Sequence, residues 1–146
     1  MEKIVFDSGV KEFRVNGKGV LRFNPADPNV YARFMEAGEK ILEIEKQLQA
    51  KNLEQNPEEN STEALKLLAQ ADSRMKEVLG WVFGGENDFS KILGGVHLMA
   101  VAENGERVII NLLKALEPIL VAGAERCATE KIRTAKAQAS VRRAAQ

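Results

Sequence analysis

Two stretches of this chain repeat one spacing. Apolar or small residues fall at Val30, Phe34, Ala37, Ile41, Ile44 and Leu48, and again at Ile109, Leu113, Leu116, Leu120, Gly123 and Cys127, each time in steps of 4, 3, 4, 3, 4. With 3.6 residues to a turn, this spacing puts each set on one face of an α-helix; a strand would alternate every two residues. Around the first stripe, Glu36, Glu39, Lys40, Glu43 and Lys46 occupy the opposite face, as on a solvated helix. An apolar stripe has to be covered, so both helices must pack on other elements. The 146 residues suffice for one domain with a buried core. The expected fold is mainly α, an N-terminal β-hairpin followed by a bundle of about four helices whose last member is long. We divide the single domain 1–146 into a hairpin region 1–24, a helical core 27–130 and a basic tail 131–146.

The hairpin is read from EFRVNGKGVLRFN. Phe13 and Val15 alternate with polar neighbours, Asn16-Gly17 supplies residues that tolerate the positive φ of a tight turn, and Val20, Leu21 and Phe23 follow. Gly19 predicts a bulge, and Lys3 to Phe6 predicts a further short strand alongside. A lone hairpin is marginal in water, so it must pack on the helices or on another copy. Asp27 and Pro28 then form a cap and first-turn pair for the first helix. The segment from Ala50 to Glu59 reads as a linker. Asn60 and Glu63 predict a capping box for a second helix, with Leu65, Leu68, Met75, Val78, Leu79 and Val82 turned inward. Gly84-Gly85 ends that helix, Asn87 or Asp88 caps a short one through Leu93, and Gly94-Gly95 ends it in turn. For Val96 to Ala102 helix is favoured over buried strand. The last long helix is expected to start near Glu103 to Glu106, with a kink or break at Pro118.

Lys plus Arg equals Asp plus Glu at 21 each, so no global field directs the chain to nucleic acid or membrane. The charge is uneven along the chain. From Pro28 to Glu63 eight acids face four bases, whereas 131–146 holds five bases and no acid. One cysteine, Cys127, leaves no internal disulfide and suits a reducing cytoplasm. MEKIVFDSGVKEF lacks the long apolar core of a signal peptide, and Val108 to Ala124 is interrupted by Asn111, Lys114, Glu117 and Pro118, too polar for a membrane span.

The glycine-rich stretch FGGENDFSKILGG invites a phosphate-loop reading, which its details reject. Counting from Gly85, Ser90 stands where the second glycine belongs and Ile92 where a hydroxyl should hold magnesium, and a helix precedes it instead of a strand. Glu86 and Asp88 do not make a calcium loop, since Phe89 follows the second oxygen donor and the loop is too short, and both acids fit helix capping instead. His97 is the sole histidine, and with Cys127 it lacks both the partners of a zinc site and a third group to orient a thiol–imidazole pair. The expectation is a chain with no catalytic residues, no cofactor and no metal.

Two sets of residues remain as candidates for partner binding. Trp81 and Phe83 close the second helix with much apolar area, either as core anchors or as a subunit contact. Lys131, Arg133, Lys136, Arg142 and Arg143 give the tail more positive charge than one helix end needs to complement its dipole, which suits an acidic partner. Nucleic acid is the weaker reading, since no aromatic residue interleaves for stacking and the first helix is acidic.

FRVNGKGVLRF, the helix start NPADPNVYARF and the junction WVFGGENDFSKILGG, taken in that order, resemble the tail assembly chaperones of long-tailed phages and prophages of Gram-positive bacteria. The resemblance covers most of the chain and rests on packing and turn motifs. It implies a small helical protein that accompanies the tape-measure protein, and in some cases tail-tube subunits, during tail assembly in the host cytoplasm and leaves the finished tail. It also implies self-association, often a longer frameshifted form, and no catalytic residues. A small nucleic-acid-binding or regulatory adaptor that uses the basic C-terminal helix is the alternative.

Overall fold

The structure, a computed structural model, describes residues 1–50 and 61–145, apart from the side chains of Ser61, Lys131, Ile132, Thr134 and 142–145. Its elements are β1 (Lys11–Val15), β2 (Gly19–Phe23), α1 (Pro28–Ala50), α2 (Ser61–Phe83), α3 (Phe89–Ile92) and α4 (Val108–Ala145). The fold is therefore the expected hairpin followed by helices, the last of them long. The linker expected at 51–59 and the Asn60 cap lie outside the described residues.

The strands pair antiparallel from Lys11↔Phe23 to Val15↔Gly19. Asn16 and Gly17 take φ of 49° and 71°, and Lys18 donates its N–H to the Val15 carbonyl at 3.0 Å. No bulge forms at Gly19, which pairs in register. The glycine is needed because a Cβ there would collide with the Ile92 backbone, letting the hairpin lie directly on α3. Lys3 to Phe6 forms no strand either. Gly9, at φ 75°, turns the chain, with its N–H on Asp7 Oδ1 at 2.8 Å and the Ser8 carbonyl held by Asn24 Nδ2 at 3.1 Å. This turn leaves Ile4, Val5 and Phe6 exposed.

Phe13 stacks on Phe23 at 4.9 Å, Phe23 meets Phe83 edge-on at 4.7 Å, and Phe83 lies 5.8 Å from Phe89. This aromatic ladder ties the hairpin to α2 and α3. The α1 stripe is buried from Val30 to Ile44, and Asp27 Oδ1 accepts the Asn29 N–H at 2.9 Å as its cap. It packs on Ala71, Met75, Leu79 and Val82 of α2. Leu65, expected to turn inward, is exposed. It lies two turns before Asp72 on a flank that residues 97–99 cover only at the level of Asp72.

Asp88 caps α3 by accepting the Ser90 N–H at 3.0 Å, while Glu86 caps nothing. Gly84, Gly94 and Gly95 take φ of 107°, 62° and 84°. Gly84→Ala is expected to cost about 1–2 kcal/mol and to lower the midpoint of thermal unfolding by about 3–6 °C. Gly85 is the internal control, since a Cβ there meets nothing within 4 Å and its φ is not positive. Circular dichroism melts of Gly84→Ala and Gly85→Ala should differ accordingly.

Val96 to Ala102 is not helical, because tertiary partners claim its backbone. Asp72 Oδ1 accepts the Leu98 N–H at 2.8 Å, the Leu98 carbonyl accepts from Ile109 at 2.9 Å, and the Ala100 carbonyl accepts from Val108 at 2.9 Å. The apolar run serves instead to bury Leu98 and Met99. A Val101↔Arg107 bridge and a turn at Gly105, φ 83°, delay the start of α4 to Val108. That helix runs through Pro118 with a slight bend and no break. Pro118 and Lys114 are both exposed, so water can satisfy the Lys114 carbonyl that proline deprives of its donor.

Candidate partner-binding surfaces

Side chains along α4 set where it stops being part of the core. Ile109, Leu116 and Leu120 are buried, and Gly123 is buried where a Cβ would collide with the Pro25 carbonyl. Cys127 is half-buried at the end of this stripe. From Ala128 on, the described side chains are exposed except for a half-buried Ala139, yet the helix continues to Ala145. These last turns form an arm about 27 Å long at 1.5 Å per residue. Its alanines supply helix propensity without needing a partner.

The five tail cations stand on this arm. Arg133 and Lys136 are exposed, and Arg133 Nη2 lies 2.8 Å from Glu130 Oε2, an i,i+3 pair open to water and so of small energetic weight. The side chains of Lys131, Arg142 and Arg143 lie outside the described residues, and the helical backbone that carries them is described.

The other two candidates separate. Phe83 is buried inside the aromatic ladder, with 5% of its surface exposed, and is withdrawn as a docking residue. Trp81, on the opposite side of the same turn, keeps 41% exposure, with Lys40 Nζ 3.6 Å above its ring. It closes a groove of about 490 Å³ between α1 and α2, lined by Glu39, Lys40, Glu43, Ile44, Arg74, Glu77, Val78 and Trp81. Among the described residues, none of the arm lines the groove.

A smaller concavity of about 360 Å³ lies beside the glycine junction. Its one cation is engaged, Lys76 Nζ bonding Asp72 Oδ2 at 3.0 Å, and the Ser90 N–H bonds Asp88. Glu77 and Asp88 at its rim would repel a phosphate. Asn87 is buried and faces inward. Its Oδ1 accepts the Arg22 N–H at 2.9 Å, and its Nδ2 donates to the Arg22 and Phe83 carbonyls at 2.8 and 2.9 Å. The junction is thus a clamp on β2, a role that the capping reading of Asn87 missed.

His97 Nδ1 accepts the Met99 N–H at 3.0 Å and lies 4.0 Å from Asp72 Oδ1. Asp72, which sequence reasoning passed over, instead holds the loop through Leu98 and pairs with Lys76. Among the described residues, no group of three His, Cys, Asp or Glu side chains is placed to share a metal ion. Nor is any described helix long and apolar enough to cross a membrane. Comparisons with protein-family models, with curated proteins and with solved structures find no match.

Proposed function

We propose that this chain is a non-enzymatic assembly chaperone that acts on the tape-measure protein during phage tail morphogenesis in the bacterial cytoplasm, with the tail-tube protein as a second client. The observation that carries this reading is the helical, cation-bearing arm of α4, which extends past the core on a chain of zero net charge. Support comes from the motif order in which the chain resembles the tail assembly chaperones. A helix held out into solvent by propensity alone contributes little to folding and offers its whole circumference to a partner. Cations along it would speed encounter with an acidic helical client, an effect that salt screens over roughly 8–10 Å.

Co-expression with a long helical tape-measure protein tests the reading. The full chain is expected to co-purify with it, and Arg133→Glu/Lys136→Glu is expected to weaken that binding about tenfold or more, since two attractive contacts become repulsive ones. The midpoint of unfolding should stay within about 2 °C, as both residues are exposed. The same arm also favours the nucleic-acid reading, which a titration separates. Micromolar binding of duplex DNA whose affinity falls steeply with salt, together with no retention of the tape-measure protein, would replace the chaperone by a nucleic-acid adaptor.

A further inference from the structure

The groove between α1 and α2 has an apolar floor of Ile44, Val78 and the exposed Trp81, and acidic walls formed by Glu39, Glu43 and Glu77. Its two cations are already engaged within the chain. Lys40 sits over the Trp81 ring at 3.6 Å, and Arg74 Nη1 donates to Gln47 Oε1 at 2.7 Å. Among the described residues, the three carboxylates have no hydrogen-bond or ion-pair partner. The groove therefore suits a cationic helix with small side chains, and the arm of α4 is such a helix.

We propose that the groove receives the C-terminal arm of a second copy of this chain. The complementarity is of charge and of size. Arg133 and Lys136 stand three residues apart on one side of the arm, as Glu39 and Glu43 stand four apart on α1. Ala137, four residues on from Arg133, and Ala139, three on from Lys136, flank these cations and let the arm approach the Trp81 face closely. From Arg74 to Trp81 the groove spans about 10 Å of helix, well within the arm's length. The chain's own arm does not fill the groove: α4 is one continuous helix packed on α1, and among the described residues none of the arm lines the groove. Each copy offers one arm and one groove, so the contact is heterologous, and copies join head to tail into a ring or an open row. This specifies the self-association within the proposed function, and the purified chain alone tests it, so client binding can fail without affecting it.

The test is sedimentation of four full-length proteins, with melting curves to show that each is folded. Wild type is expected to assemble at tens of micromolar and to dissociate as sodium chloride rises from about 50 to 500 mM, where the screening length falls severalfold. The arm variant Arg133→Glu/Lys136→Glu and the groove variant Glu39→Lys/Glu43→Lys should each be monomeric alone. Mixed one to one they should co-assemble, because the native arm of one fits the native groove of the other and the two charge-reversed surfaces fit each other. A chain that carries all four substitutions should assemble again. A wild type that is monomeric, or assembled without regard to salt, overturns the proposal. So do single-surface variants that assemble like wild type, or a mixture of two folded variants that stays monomeric.

Discussion

Gly123→Ala is expected to destabilise the protein by about 2–4 kcal/mol and to lower its unfolding midpoint by about 6–12 °C. Two effects oppose each other here. In a helix interior, alanine is better than glycine by about 0.8–1 kcal/mol, which taken alone predicts a more stable protein. At Gly123, however, the new methyl group would meet the Pro25 carbonyl and the Ala26 amide, both backbone atoms of the segment joining β2 to α1. Backbone cannot swing aside as a side-chain tip can, so α4 or the connection must shift and loosen the packing at Leu120 and Val30. The steric term is the larger, and the sign is negative. Gly38→Ala on α1 isolates the propensity term, because a Cβ there meets nothing within 4 Å. That variant should be more stable by about 0.5–1 kcal/mol. Urea unfolding of both variants measures the pair, and stabilisation by Gly123→Ala would refute the close approach.

Asn87→Ala is expected to cost about 3 kcal/mol, a large share of the 5–15 kcal/mol by which domains are stable. The substitution strands one donor and two acceptors of the backbone, at Arg22 and Phe83, in a region where Asn87 itself is only 4% exposed. Water can reach Arg22 from the exposed side of β2, which keeps the loss below the sum of three fully buried orphans. Asn87→Asp preserves shape but replaces the two donor hydrogens with a carboxylate oxygen facing two carbonyls. It should be at least as damaging. If Asp is tolerated and Ala is not, the site needs volume and not hydrogen bonds. Amide exchange at Arg22 gives a local readout, since its N–H should lose protection in Asn87→Ala, which removes its acceptor, more than in Asn87→Asp, which keeps one.

What the sequence disclosed was whatever neighbouring residues encode together. The stripe from Val30 to Ile44, the Asp27 and Asp88 caps and the Asn16-Gly17 turn are local patterns, and each appears as read. Residues whose role depends on a distant segment were misread. Gly19 looked like a bulge because nothing near it shows that Ile92 will lie against it, and Gly123 passed for one more member of a stripe. Val96 to Ala102 carries enough apolar residues for a helix, but Asp72 and the start of α4 take its hydrogen-bonding groups. Phe83 and Trp81 are two positions apart and point to opposite fates, which helical phase implies only once the covering elements are known. The tail's surplus of charge was legible in composition; its extension past the core was not, because alanine-rich helix looks alike whether packed or free.

The hairpin's anchors carry a consequence for biosynthesis. β1 and β2 leave the ribosome before the helices, but Arg22 needs Asn87, Gly19 rests on Ile92, and the Pro25 segment fits against Gly123, about 65 to 98 residues later. At translation rates of about 5–20 residues per second, the nascent strands wait on the order of 3–20 s with Phe13 and Phe23 uncovered. During that interval the growing chain presents an aromatic sheet with unpaired edges to its neighbours on the same message, where identical hairpins are close at hand. Slow decoding between Asn87 and Gly123 would lengthen the interval, so the yield of soluble protein should track codon choice in that window more closely than codon choice in the arm.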